Sequence, residues 1–260
     1  MYVAAGSRPD IMFAVSKLSH FLDCYREAHW QATVCVIQYL KGTRKMGLVL
    51  GGSSPSLLLI RYCDSDYAND PGAEGQRSVA GYCFLLGSGA VSWSSKKQKM
   101  IADSTCAAEY MAASEAGREL IWMQTLLREL GFGLTHATPL LCDNLAAVLL
   151  CGDQAFHSQV KHIDVRYHWI QERVESEELV VGHIPSLSNL ADVPTKALSG
   201  LHFVSMRGYL GIHQRDTGVH AEGEYKDTKS ATGMALRSIT RGRFDISFSV
   251  FTHIYILLVR

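Results

Sequence analysis

Apolar residues recur at helical spacing from Asp10 to Leu40, with Ile11, Val15, Leu18 and Phe21, then Val36, Ile37 and Leu40, which predicts a helical opening segment. It stops at Lys41-Gly42-Thr43, and Gly51-Gly52-Ser53-Ser54-Pro55 reads as a boundary. From Leu57 the period changes. Leu57 to Asp64 is an apolar run closing on an acid, as a buried strand does, and Ser78 to Leu86 and Ala90 to Ser95 follow as two strands joined at Gly87-Ser88-Gly89. A long amphipathic helix is expected from about Ser104 to Leu130, with Ala108, Ala112, Ala116, Leu120, Met123, Leu127 and Leu130 inward and Gly131 as its stop. A strand from Pro139 to Asp143, a helix from about Ile163 to Ser176, a strand from Leu179 to His183 and a last helical turn between Leu190 and Leu198 complete the pattern. This order predicts an α/β fold with a mixed five-stranded sheet, three antiparallel strands first, flanked by helices. The expected division is a helical segment over 1–50, a main domain over 57–203 and a poorly structured tail over 212–260, where periodicity fades into Gly- and Thr-rich sequence.

Composition narrows this picture only a little. Lys+Arg 25 against Asp+Glu 25 exerts no global pull on nucleic acid, so any such binding depends on how the charges are distributed. Seven cysteines with no C-x-x-C pair suggest reduced, buried thiols and an intracellular protein, cytoplasmic or nuclear. The N-terminus carries Arg8, Pro9 and Asp10 and lacks the apolar core of a secretion signal. The apolar stretch from Phe244 to Val259 is shorter than the ~20 residues a bilayer requires and contains Asp245 and His253, so no membrane span is expected.

The candidate chemistry is acidic. Asp64 and Asp143 each end a predicted strand, Glu109 lies in the first turns of the long helix, and Asp192 lies near the start of the last helical element. Two carboxylates ~4 Å apart repel by roughly 4 kcal/mol at an effective dielectric near 20, so four on one site require a cation. All-oxygen donors suit Mg²⁺, two ions of it, or Mn²⁺. Each acid also has an ordinary reading: Asp143-Asn144 can close a strand and cap a helix, Asp64-Ser65-Asp66 can be a solvated turn, and Glu109 can match a helix dipole.

Several short segments decide between these readings. Tyr62-Cys63-Asp64-Ser65-Asp66-Tyr67-Ala68, Arg77-Ser78-Val79-Ala80-Gly81-Tyr82, Trp93-Ser94-Ser95-Lys96-Lys97-Gln98, Ala108-Glu109-Tyr110-Met111-Ala112, Cys142-Asp143-Asn144, Lys161-His162-Ile163-Asp164 and Leu190-Ala191-Asp192 with Thr195-Lys196 resemble, in order, the ribonuclease H domain of copia-type retrotransposon polyproteins. Upstream, Ser7-Arg8-Pro9-Asp10-Ile11, His29-Trp30 and Tyr39-Leu40-Lys41-Gly42-Thr43 look like the end of the reverse transcriptase that precedes that domain. The resemblance implies a ribonuclease H-like fold that hydrolyses the RNA strand of an RNA:DNA hybrid, leaving 3′-hydroxyl and 5′-phosphate ends. It makes Asp64, Glu109, Asp143 and Asp192 the metal ligands and His183 a candidate assistant in proton transfer or product release. It also implies, as partner, the reverse transcriptase part of the same polyprotein. Lys96, Lys97 and Lys99 are the candidate grip on the hybrid backbone, with Ser65, Asn144 and Arg77 as further contacts. His162 and Arg166 follow the family pattern without a derivable role.

The match has departures. Ala107 stands where a second glutamate is usual, and Pro194 threatens to turn Asp192 away if it falls deep in a helix. No Asp-Asp dipeptide occurs in the chain, so no polymerase activity is expected. The alternative is a truncated, catalytically silent remnant that at most binds nucleic acid. A DNA exonuclease or integrase on the same type of fold lacks the matching motifs.

Overall fold

The structure, a computed structural model, describes residues 1–51, 59–68, 77–132, 138–152 and 165–214. Five strands, β2 (Leu59–Asp66), β3 (Val79–Leu86), β4 (Gly89–Lys97), β5 (Thr138–Cys142) and β6 (Leu179–His183), form one sheet in the order β4-β3-β2-β5-β6. β2, β3 and β4 pair antiparallel, and β5 joins β2 in parallel and carries β6 in parallel. This is the mixed sheet that the pattern predicts. The central strand β2 is apolar on both faces because both are covered. Leu59 and Cys63 enter one core with Phe84 and Leu86, and Tyr62 enters the opposite core with Cys83 and Leu85.

The first face is covered by α4 (Thr105–Glu129), α5 (Leu145–Gly152) and α6 (Val165–Glu175). Ser104 caps α4 by accepting the N–H of Ala107 at 3.1 Å, which fixes where the helix begins. The first half of α4 buries Ala108, Ala112, Ala113 and Ala116, and the second buries Leu120, Met123 and Leu127. Small residues bring the helix close to the sheet where Glu109 sits, and large ones fill the wider gap beyond. Leu130, expected on that inner face, is exposed because the helix has ended at Glu129.

The opposite face carries α7 (Asp192–Thr195), α8 (Gly200–Tyr209) and the opening helices α1 (Tyr2–Gly6), α2 (Met12–Ser19) and α3 (Glu27–Gly42). The expected single helical segment from Asp10 to Leu40 is therefore two helices after a three-residue turn at Pro9–Ile11. The chain reverses at 20–26, where the Phe21 ring stacks on His29 with centroids 4.0 Å apart and Arg26 N–H bonds His29 Nδ1 at 3.1 Å. Phe21 was in phase with the helical pattern but serves the turn.

Other elements gave no periodic signal. α5 is apolar on every side, as the run Leu145 to Leu150 is, and α8 lies beyond the last predicted turn. β1 (Met46–Leu48) and β7 (Ile212–Gln214) are three residues each, too short to alternate, and pair antiparallel. β7 thus belongs to the folded body. Gly211 leads into it with φ +83, and a Cβ there would lie 2.6 Å from Gly89 Cα. The expectations for 215–260, including the run from Phe244 to Val259, lie outside the described residues. No helix among the described residues is long and apolar enough to cross a membrane. Cys24 and Cys35 are exposed, contrary to the expectation of uniformly buried thiols, whereas Cys63, Cys83, Cys142 and Cys151 are buried and all seven are free.

The opening segment is fastened to the sheet by polar contacts. Trp93 Nε1 donates to Ala4 O at 2.8 Å, and Ser16 Oγ donates to Ser95 O at 2.8 Å. Arg8 grips Asp10 in a bidentate pair at 2.9 and 2.7 Å, Tyr39 donates to the same carboxylate at 2.6 Å, and Arg207 from α8 donates to the Tyr39 oxygen at 3.1 Å. Asp10 is 5% exposed, so Asp10→Ala strands the Arg8 charge without its partner. That substitution is expected to cost about 3 kcal/mol in a urea unfolding titration, and a loss under about 1 kcal/mol would contradict this account of the network.

Candidate active site

The parallel register that aligns Tyr62 with Leu141 also sets Asp64 level with Asp143, two residues further on in each strand. Their side chains therefore share the face on which α7 lies. α7 delivers Asp192, and the oxygens of Asp64, Asp143 and Asp192 lie within 4.8 Å of one another. From the other face α4 delivers Glu109, whose carboxylate lies within the same span of Cys142 Sγ and Asp143. Asp143 is common to both groups. The four predicted acids thus meet around the carboxyl end of β5, Asp64 at 0%, Glu109 at 6% and Asp192 at 7% exposure.

Each carboxylate is held by a different device. Ser65 N–H donates to Glu109 Oε1 at 3.2 Å, and the Cys142 thiol donates to Oε2 at 3.7 Å. Thr195 Oγ1 donates to Asp64 Oδ2, and Lys196 Nζ lies 2.9 Å from Asp64 Oδ1 and 2.8 Å from Asp192 Oδ1. Asn144 Oδ1 accepts the N–H of Ala147 at 3.0 Å, capping α5 directly after Asp143. Its carbonyl side is thereby committed to the helix as well as to the candidate role given it.

Pro194 leaves the fourth acid in place. It is the third residue of a four-residue turn, where a missing N–H costs no helical hydrogen bond. What allows the turn to reach Asp64 is Gly81, the residue paired with Asp64 across β2 and β3. A Cβ at Gly81 would lie 2.6 Å from Thr195 Cγ2 and 2.8 Å from Ser94 O. Only a bare backbone fits there.

The electrostatics follow from burial. Desolvation, then the nearby Asp64 charge, pushes the Glu109 carboxyl up to about 10 and Asp192 up to about 6. Asp64 is also raised by burial, although Lys196 and Thr195 pull it back. Burial works against the Lys196 charge, but Asp64 and Asp192 outweigh it and raise its pKa. Three buried acids and a half-buried fourth, with one ammonium between two of them, are a poor match for themselves and a good match for hard divalent cations, because carboxylate oxygens dominate the donor set.

The remaining predicted residues stand apart. His183 is exposed on the edge strand β6, at the register of Cys142, and enters neither acid group. Lys96 pairs with Ala80 and Lys97 with Val79 at the end of β4, two strands and roughly 10 Å from β2. Lys96 and Lys99 are exposed and Lys97 is half-buried. The Ser65 hydroxyl is buried without a hydrogen-bond partner, and Arg77 is half-buried with its Nε likewise unpartnered. Arg166 lies in the first turn of α6, and His162 is outside the described residues. Thr195 and Lys196 were quoted only as part of a motif, yet they touch the acids directly. The signal was present: Lys196 is four residues after Asp192 on a helical turn.

No protein-family model matches the chain. It is 41% identical over 213 residues to the retrovirus-related Pol polyprotein from transposon TNT 1-94 of Nicotiana tabacum, spanning 82% of this chain and 16% of that protein. It is 39% identical over 208 residues to the corresponding polyprotein from transposon RE2 of Arabidopsis thaliana, spanning 80% and 14%. A shorter relative, the secreted RxLR effector protein 161 of Plasmopara viticola, is 41% identical over 128 residues, 49% of this chain and 88% of that one. Among solved structures, LC11-RNase H1 in complex with an RNA/DNA hybrid covers 53% of this chain and 94% of its own at 18% identity, with a TM-score of 0.36.

Two expectations test the site. Glu109 keeps its proton in the folded, metal-free chain up to about 10 against an ordinary 4.5. Its contribution to stability is therefore full below about 4.5 and is lost as pH rises toward 10. Glu109→Gln cannot ionise, so its melting temperature should gain on the parent's from about pH 5 to about pH 9; a constant difference would contradict the burial. Gly81→Ala should displace Thr195 and lower divalent-ion affinity by about tenfold in calorimetric titration, and unchanged affinity would show that the glycine is dispensable.

Proposed function

The chain belongs to the copia-type family of retrovirus-related Pol polyproteins, and from that premise we propose that its folded part is the ribonuclease H domain, a metal-dependent endonuclease acting on the RNA strand of RNA:DNA hybrids. The chain spans about a sixth of the length of its polyprotein relatives. Hybrid, polymerase partner and intracellular setting are accordingly part of this proposal. The observation that carries it is the meeting of Asp64, Glu109, Asp143 and Asp192, from four separate elements, around the end of β5.

In this reading Asp64, Asp143 and Asp192 would hold one divalent cation, and Glu109 with Asp143 a second. Mg²⁺ or Mn²⁺ there would supply an activated water and stabilisation of the leaving oxygen of a phosphodiester. The chain's own contribution is orientation: Ser65 N–H fixes Glu109, Thr195 fixes Asp64, and the α5 cap fixes the chain at Asp143. Lys96, Lys97 and Lys99, at and just after the end of β4, supply sequence-independent attraction to phosphates. His183, exposed on β6 at the register of Cys142, is the candidate assistant in proton transfer or product release.

Purified protein given labelled RNA:DNA hybrid and Mg²⁺ should cut the RNA strand, leaving 3′-hydroxyl and 5′-phosphate ends. Asp64→Asn should reduce the rate by about a thousandfold. No cutting would favour the silent remnant, and equal cutting of double-stranded DNA would overturn the hybrid assignment.

A further inference from the structure

Lys196 takes no part in the proposed cleavage reaction, yet it is seated on the acids themselves. Its Nζ lies 2.9 Å from Asp64 and 2.8 Å from Asp192, the two acids that share one candidate cation-binding group with Asp143. We propose that Lys196 is a tethered counter-ion that competes with divalent cations for this group, so that metal entry and Lys196 release are one exchange. The inference rests on the nuclease reading and adds to it a built-in control of metal affinity.

Three features of the geometry make the exchange workable. Asp64 is fully buried and bears the repulsion of Asp143, and Asp192 bears that of Asp64 and Asp143, so without some positive charge the arrangement is strained. The Lys196 side chain is 31% exposed, against 0% for Asp64 and 10% for Asp192, so the ammonium has a path to water on a flexible stem. Thr195 is fully buried and donates to the other Asp64 oxygen. When Lys196 leaves Oδ1, Asp64 keeps its orientation through Oδ2. One neighbour is an anchor and the other is a movable charge.

The consequence is a trade between stability and affinity. The lysine stabilises the metal-free chain by neutralising the acids, and it weakens metal binding because an ion must displace it and then share the site with a nearby positive charge. Removing the charge reverses both effects.

The test compares Mn²⁺ binding, by calorimetry and by the loss of the free-ion paramagnetic signal, in the parent, Lys196→Met, Lys196→Arg and Asp64→Asn proteins. Lys196→Met should bind Mn²⁺ about tenfold more tightly while melting at lower temperature without metal, and Lys196→Arg should stay within about threefold of the parent. In the parent, ¹³C-dimethylated lysines followed by NMR should show one resonance, absent from Lys196→Arg, that shifts toward the free-lysine position as Mg²⁺ is added. This readout holds even where Lys196→Met fails to fold. Unchanged or weaker Mn²⁺ binding in Lys196→Met, or a Lys196 resonance indifferent to Mg²⁺, would overturn the proposal. If Asp64→Asn abolishes binding while Lys196→Met leaves it unaltered, only the role of Lys196 fails. If the parent takes up no Mn²⁺, the nuclease reading fails and this inference with it.

Discussion

Mutual repulsion of buried carboxylates is the constraint around which this molecule is organised. Asp64, Glu109 and Asp192 are buried and, with the half-buried Asp143, brought so close that Glu109 is pushed up to about 10 and Asp192 to about 6. A chain under selection for stability alone would place apolar residues at such positions. The fold instead invests backbone donors, a threonine hydroxyl and an ammonium in holding acids that would otherwise separate. Such an arrangement becomes favourable when divalent cations enter it, which is why the site reads as chemistry rather than as structure.

The holding devices come from both faces of the sheet, and this explains much of the architecture. Parallel pairing of β2 with β5 sets two aspartates level. The alanine-rich half of α4 approaches closely enough for Glu109 to bond Ser65 N–H. On the reverse face α7 can dock only because Gly81 has no side chain. The opening helices and α8 then close over that face, with α2 in contact with α7 and the Arg8, Asp10, Tyr39 and Arg207 network locking the two ends of the described chain together. The upstream helical segment is thus packed on the element that carries Asp192.

How much of this was legible in the sequence depends on range. Strand β2 ending in acids, the capped helix after Ser104 and the five-strand order were all visible, because hydrophobic period and capping are local signals. The break at 20–26 was missed because Phe21 keeps the helical phase while stacking on His29 across the turn. α5 was missed because its run is apolar on every side, with Leu145 and Leu149 apolar although exposed, so no polar face reveals its period. The four acids were individually ambiguous, and ordered motifs rather than spacing singled them out. The four-residue step from Asp192 shows only half of the role of Lys196; the other half is a contact with Asp64, 132 residues away, that no local pattern encodes. Pro194 drew attention as a helix breaker, yet in so short a turn it is neutral.

The central claim is that these acids form one pocket for paired divalent cations. Anomalous diffraction from crystals grown with Mn²⁺ tests it most directly. The account predicts two strong peaks, one among Asp64, Asp143 and Asp192 and one beside Glu109 and Asp143. Peaks elsewhere on the surface, with Lys196 still seated between Asp64 and Asp192, would contradict it.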